Sequence, residues 1–513
     1  MLQPRRLRRA AMLAVGASLA FTSTASAVDE VNSKKLRDGV TINGMLAHER
    51  AFQFIANANG GTRASGTRGY DASAEYVRER LRDAGYATRT QQFDFRYYEE
   101  TAPAELEQVT PTAKDYETES YQYSGSGDVT APVEPVDVQI PPPAEAGTSD
   151  SGCEAADFDG FTEGNVALIQ RGFCNFGVKA DLAEEAGASA VIIFNEGQPG
   201  RTELSVGTLG EETVVDIPVV GASFADGKEL YDLAQADGVT ARVFTAILDE
   251  IRPTSNVLAY SKEGAKDEKV VVGAHLDSVT EGAGINDNGS GSAGILEIAE
   301  ELDDTKLDRK LRRQLVFAFW GAEESGLVGS EYYVRQLTPS RLGEHYANLN
   351  FDMIGSPNYV RFIYDGDNSD FEPDGVNVFA GPPGSGELES IFERYFAGQG
   401  LASDPTPFSG RSDYGPFIAA GIPAGGLFTG AEGIKTADQA ATYGGTAGVA
   451  YDPNYHGAGD DITNVNTKAL GEMADAAAHT TLTMGRSRSG LFEDGSRKAS
   501  MKKAKRMHAE SLR

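Results

Sequence analysis

From Asn256 onward, short apolar runs of strand length alternate with longer amphipathic segments, and this alternation restricts the fold more than any other feature of the chain. Residues 269–273, 314–319 and 347–351 read as buried strands, and 291–302 as a helix between the first two. A strand covered on both faces reads as a continuous apolar run, and strands alternating with helices build a largely parallel sheet. The expected class is therefore α/β, a mostly parallel mixed sheet with helices on both faces. In such sheets functional groups gather beyond the carboxyl ends of the strands.

Upstream, 41–57 and 71–84 read as amphipathic helices. The second has Asp71 as N-cap, Ala74, Val77, Leu81 and Ala84 on one face, and Gly85 as its stop. Residues 87–95 alternate like a strand, and the acidic, Tyr/Thr/Ser/Pro-containing stretch 96–150 reads as a linker into another module. That module shows apolar strands at 166–169, 188–194 and 217–220 and a helix at 177–187. It is a smaller α/β unit of about 120–150 residues, and it lacks a nucleophile–base pair. A chain of 513 residues exceeds what one core supports. The expected division is 28–99 and 251–485 for the main domain, 100–250 for the insertion, and 486–513 for a basic disordered tail.

Charge and the termini exclude several functions. The formal net charge of −30 argues against a broad grip on nucleic acid. The 28 residues from Arg486 carry nine Lys/Arg against three acids, so the body is more acidic still. At the other end, Arg5, Arg6, Arg8 and Arg9 precede an apolar stretch from Ala10 to Phe21 and the small-residue site Ala25-Ser26-Ala27. This reads as an export signal spanning 1–27, with no transmembrane segment left after cleavage. In an oxidising compartment the only two cysteines, Cys153 and Cys174, are expected to form a disulfide.

The chemistry-bearing residues sit where the strands end. His275 and Asp277 follow the first apolar strand, with Asp287 twelve residues beyond His275. Glu323 and Glu324 follow the second, Asp352 and Met353 the third, and Tyr455-His456 lies far downstream. Each is weak alone, but two of only six histidines fall beside carboxylates at successive strand ends. Imidazole with carboxylate suits zinc, and two His plus three carboxylates, one of them bridging, would hold two metals.

With these motifs in place, the chain resembles the co-catalytic dizinc aminopeptidases of the aminopeptidase Y/bacterial aminopeptidase family, in their signal-peptide branch. The likeness covers 41–99 and 251–482 and includes Phe408-Ser409-Gly410-Arg411-Ser412-Asp413-Tyr414-Gly415-Pro416-Phe417 and the run from Gly421 to Gly430. Residues 100–250 resemble an inserted protease-associated domain. The resemblance implies one zinc on His275 and Asp352, a second on Glu324 and His456, and Asp287 bridging them. It implies Glu323 as general base, Asp277 orienting His275, the Arg411 backbone holding the substrate α-amino group, and Tyr455 donating to the oxyanion. Met353, Phe428 and Tyr455 match specificity-pocket positions. Two departures stand out: Asn288 replaces a residue often acidic in the family, and no cysteines flank His456.

The implied protein is a secreted monomer with two Zn²⁺ per chain that removes large apolar N-terminal residues from peptides. A role for Ca²⁺ is not assignable from the sequence. The rivals are a zinc carboxypeptidase or dipeptidase of the same superfamily, with Arg411 as the one candidate cation for a substrate carboxylate, and a non-catalytic receptor-like relative. A serine hydrolase is a poor reading, because Gly289-Ser290-Gly291 lacks the upstream part of a nucleophile elbow.

Overall fold

A computed structural model describes residues 31–210, 212–374 and 378–492. The expected export signal and residues 493–513 of the expected tail lie outside the described residues. The apolar runs form the centre of the sheet as expected. Across the C-terminal half the strands lie in the order Asp404–Thr406, Phe362–Tyr364, Ala424–Phe428, His345–Phe351, Ala265–His275, Arg313–Trp320 and Thr240–Tyr260. Ala265–His275 runs parallel to both neighbours, with His275 opposite Trp320 and Gly273 opposite Asn350. His345–Phe351 is parallel to Ala424–Phe428 in turn. Pairing becomes antiparallel at Phe362–Tyr364 and Thr240–Tyr260. This register brings the carboxyl ends of the central strands level with one another.

Every residue of Arg313–Trp320 and His345–Phe351 is buried. Side chains alternate between the two faces, as a strand's period of two requires. Leu315, Phe317 and Phe319 pack with Val270 and Val272 beneath the helices Ile42–Ala58, Arg68–Asp83, Gly291–Asp304 and Thr467–Arg486. Val316, Ala318 and Trp320 face the other side with Val271, Tyr333, Val334 and Phe417. Each large apolar side chain buried in this way contributes about 1.5–3 kcal/mol.

Two expectations upstream need correction. The second helix spans Arg68–Asp83 and is capped by the Thr67 hydroxyl, which accepts from the Tyr70 amide, so Asp71 lies in its first turn. The stretch from 96 is no linker, because Ala87–Thr110 is one continuous strand, antiparallel to Thr240–Tyr260 from Ala87↔Tyr260 to Thr110↔Thr240. Leu106 and Gln108 are buried on its inner face, while Glu105 and Glu107 lie on the other, and Glu99 accepts at 2.8 Å from the hydroxyl of the buried Tyr97, two residues before it on the same face. A half-covered strand tolerates such acids, and their density masked the alternation. The two-stranded ribbon carries the chain into the smaller module, where Gly127–Val136 joins Val166–Gln170, Ala190–Phe194 and Val219–Ala222 in parallel. Cys153 and Cys174 form the disulfide, with Cα atoms 5.7 Å apart. From this module the Tyr123 hydroxyl, 3.3 Å from the Ser325 carbonyl, touches the turn that follows Glu324.

The boundary at 485 is also corrected. The final helix includes Arg486, and Leu491 is buried in the main core, where its amide donates to the Tyr346 hydroxyl at 2.6 Å. The Arg313 guanidinium, itself buried, donates to the carbonyls of Met484 and Ser487. The basic composition after 486 concealed this one apolar anchor. A protein truncated after Gly485 should therefore be about 2–5 kcal/mol less stable than one truncated after Phe492, the range for losing a buried leucine. Equal urea midpoints for the two truncated proteins would place 486–492 outside the cooperative fold.

Candidate metal centre and active site

The level strand ends deliver the expected side chains to one point. His275 closes its strand, Asp352 follows Phe351, and Glu323 and Glu324 lie in the turn after Trp320. Asp287 comes from the Ile285–Ser290 turn that precedes the Gly291–Asp304 helix. His275 Nε2 lies 3.1 Å from Asp287 Oδ1 and 3.4 Å from Asp352 Oδ1. His456 Nε2 lies 3.0 Å from Glu324 Oε2 and 3.4 Å from Asp287 Oδ2. Asp287 thus turns one oxygen to each histidine, and the five groups fall into two triads that share it. Ligands about 2.0–2.1 Å from one tetrahedral ion stand roughly 3.3 Å apart, so these separations fit two adjacent cations.

Glu323 lies outside these two triads but forms a third group of ligand-type atoms with His275 and Glu324, its Oε2 being 3.9 Å from His275 Nε2. Neighbouring glutamates diverge here beside a tightly bent backbone: Ala322, Leu327, Met353 and His456 all have positive φ, at 53°, 64°, 49° and 56°. Non-glycine residues rarely adopt this region, and they concentrate where function over-determines the backbone.

The electrostatics of the cluster call for cations. Burial raises the Glu323 carboxyl well above its usual range, and the charges of Asp413, Glu324 and Asp352 add to this. Burial likewise raises Glu324 to about 7 and Asp413 to about 8, with Asp287 and Asp352 contributing respectively. Burial alone would lower His456, but bonds to Asp287 and Glu324 prevail and push it up to about 10. So many buried carboxylates ionise together only when positive charge compensates them. Protons and metal ions compete for the same imidazoles.

A polar framework fixes these groups. His275 Nδ1 is 3.2 Å from the Asp277 carbonyl oxygen and 3.6 Å from its carboxylate, and that carboxylate also accepts from the Glu323 amide at 3.3 Å. Ser412 donates to Asp352, and Asn350 donates to Ser412 at 2.8 Å. The loop bearing His456 has no disulfide; instead Asp460 accepts from the amides of Asn286 and Asp287 at 2.8 and 2.9 Å. Asn464 donates to both Asp452 and Asp460, and Asn286 to Asp452. Asn288 donates to the Phe351 carbonyl and accepts from the Gly291 and Met353 amides, a combination of roles that an ionised carboxylate lacks. The fully buried Arg63 guanidinium donates to the carbonyls of Leu276, Ala283 and Gly284.

A cavity of about 250 Å³ opens on the metal-ligand side chains. Met353 and Phe428, both expected there, line it with Phe362, Tyr364, Tyr414 and Tyr451. Phe362 and Phe428 stack with ring centres 6.1 Å apart. At the rim Arg411 donates to Glu432 at 2.6 Å and approaches the Tyr455 hydroxyl at 3.4 Å, while the Tyr455 ring stacks on His456. The sequence reading missed Arg63, Asp452, Asp460, Asn464, the four added aromatic residues and Glu432. Asp452 and Asp460 bracket His456 closely enough that this spacing alone could have flagged them.

Comparison with known proteins agrees with this geometry. Residues 256–481 match the model of peptidase family M28, and residues 129–230 match the PA domain. An aminopeptidase of Pseudomonas aeruginosa is 47% identical over 432 residues, covering 83% of this chain and 78% of that protein. Leucine aminopeptidase 2 of Trichophyton equinum is 38% identical over 462 residues, covering 90% and 88%. The solved aminopeptidase from Aneurinibacillus sp. strain AM-1 superposes with a TM-score of 0.67 at 25% identity, covering 89% of this chain and 97% of that one. The shared-aspartate centre at the strand ends and these likenesses together place the chain in peptidase family M28, as an aminopeptidase with a PA domain inserted in its catalytic domain.

Proposed function

We propose that this aminopeptidase is an exported monomer that uses two Zn²⁺ ions to release large apolar residues from the free N-terminus of peptides. The observation that carries the two-ion reading is Asp287, one oxygen toward His275 and the other toward His456. On this reading His275 and Asp352 hold one ion, Glu324 and His456 the other, and Asp287 both. When bound, zinc supplies Lewis acidity and makes water a nucleophile near neutral pH.

The chain's own groups carry the rest. Glu323 is held by the turn and burial raises its carboxyl well above its usual range, which suits a group that takes a proton from the attacking water and returns it to the leaving amine. Asp277 and Ser412 keep His275 and Asp352 in place, so little reorganisation accompanies reaction. Burial raises the Tyr455 phenol, with Asp287 and Glu324 adding to the effect, so it remains a donor beside the site; its role is to hydrogen-bond the developing oxyanion. The α-amino group of substrate is held by the Arg411 backbone together with the acids of the centre. The aromatic wall from Met353 to Phe428 receives the apolar side chain.

Against the carboxypeptidase reading, the Arg411 guanidinium is already engaged by Glu432. Export and an extracellular location are supported by the disulfide and by the charged–apolar–small pattern of residues 1–27. No helix among the described residues is long and apolar enough to cross a membrane.

Two measurements test the proposal. Glu323→Gln should lower kcat about 10²–10⁴-fold, the usual worth of a positioned acid–base, while leaving metal content unchanged; near-wild-type turnover would remove Glu323 from that role. Zinc-replete protein should carry two ions at this centre and cleave Leu-, Phe- and Met-anilides faster than Asp- or Glu-anilides, with all activity lost to a chelator. A preference for acidic anilides would overturn the pocket assignment, and full activity with one ion would overturn the bridge.

A further inference from the structure

Behind the catalytic centre a second convergence of ligand-type side chains lies between two helices. His48, on Ile42–Ala58, is 2% exposed, and its Nε2 has no hydrogen-bond partner. That nitrogen points at Glu297 Oε2, 3.4 Å away, and Glu300 Oε2, 3.8 Å away, both on Gly291–Asp304. The three ligand atoms lie within 4.8 Å of one another. Neither carboxylate forms a hydrogen bond with His48 Nε2. The separations are close to the donor spacing around a single tetrahedral ion, roughly 3.3 Å, and comparable with the 3.0–3.4 Å spacings at the catalytic triads.

The surroundings are arranged as metal ligands require. His48 Nδ1 is anchored by the Tyr76 hydroxyl at 2.8 Å, which orients the ring as an outer partner orients a metal-bound imidazole. Glu297 spends Oε1 on the Thr41 amide and hydroxyl, at 3.2 and 3.4 Å, and turns Oε2 toward His48. Arg80 forks onto both oxygens of Glu300, leaving Oε2 a second lone pair. The helix Gly291–Asp304 carries five acids and no base, so Arg80 does not exhaust its negative charge. Burial and the neighbouring Glu297, Asp304 and Glu300 charges all push the Glu301 carboxyl up.

We propose that His48, Glu297 and Glu300 form a third metal site, separate from the catalytic pair, that takes a divalent transition cation such as Zn²⁺. With Nδ1–H donated to Tyr76, Nε2 offers its lone pair to the ion, the two carboxylates supply one oxygen each, and water completes the shell. The role is structural: the ion clamps the Ile42–Ala58 helix onto the helix that begins directly after the Asp287 turn. None of the three residues takes part in the proposed reaction.

The test uses the full chain, stripped with a chelator and reloaded with Zn²⁺. Wild type should retain one more equivalent of zinc than His48→Gln or Glu297→Gln, as measured by elemental mass spectrometry. Both variants should keep Leu-anilide turnover within about twofold, and their Tm should respond less to zinc than that of wild type. Anomalous scattering at the zinc edge from wild-type crystals gives a readout independent of any variant, with a peak expected between His48 Nε2 and Glu297 Oε2. Equal zinc content in wild type and variants, or no anomalous peak there while the catalytic centre is occupied, would overturn the proposal. An empty catalytic centre beside a filled His48 site would instead count against the proposed function alone.

Discussion

Asp277, Asp287, Glu323, Glu324, Asp352, Asp413 and Asp460 crowd around a point where, among the described residues, positive charge can come from His275, His456 and the buried Arg63, with Arg411 at the cavity rim. Such a cluster is unfavourable in a low-dielectric interior unless cations neutralise it, and much of the surrounding structure serves to hold it. The parallel register sets the ends of three strands level, so that His275, the Glu323–Glu324 turn and Asp352 converge without long loops. Arg63 gathers three carbonyls of the 276–284 segment, contributes a buried charge, and ties the N-terminal helices to the centre. Burial lowers even its guanidinium, to about 10, against the pull of Asp277 and its neighbours. Losing this one side chain would release both the backbone and the charge balance.

The central strands, and with them His275, Glu324 and Asp352, were legible in the sequence because two-sided burial writes a strand as an unbroken apolar run and these side chains follow its end, whereas Asp287 and His456 lie off the strand ends. Glu323 and Glu324 illustrate this, following Trp320 by three and four residues. The ribbon from Ala87 to Thr110 was not legible beyond Phe95. One of its faces meets solvent, and the acids there obscured the period of two. Leu491 was hidden for a related reason, since with Phe492 it forms a short apolar anchor within a basic stretch. The aromatic wall was dispersed, since Phe362, Tyr364, Tyr414 and Tyr451 come from segments with no common motif and meet only when the sheet forms.

The absence of cysteines around His456 is resolved by a different kind of bracing. Asp452 and Asp460 flank the histidine, and Asn464 joins them, while Asn286 and the Asp287 amide reach them from the facing turn. A disulfide would steady the loop against its own unfolded state. This network instead ties the His456 loop to the backbone of Asp287, so the two triads that share this aspartate are positioned against each other. Burial raises Asp460 to about 7, while the bonds from Asp287 and Asn286 lower it, so the brace depends on those amides staying in place. Order in the loop and placement of Asp287 are therefore one property.

The inserted module bears on the same turn from outside. Tyr123, with φ of 69°, is buried beneath the Arg96 guanidinium at 4.6 Å and packs edge-on against Tyr98. Arg96 in turn is bonded to Asp249 on the partner strand of the ribbon. This stack leads from the ribbon to the Ser325 carbonyl, two residues past Glu323. The Glu323–Glu324 turn thus has supports on both sides, Asp277 within the catalytic domain and Tyr123 from the module. The module thus shares in holding the turn that bears Glu323 and Glu324, which gives a physical reason for its insertion through a rigid two-stranded ribbon rather than a flexible linker.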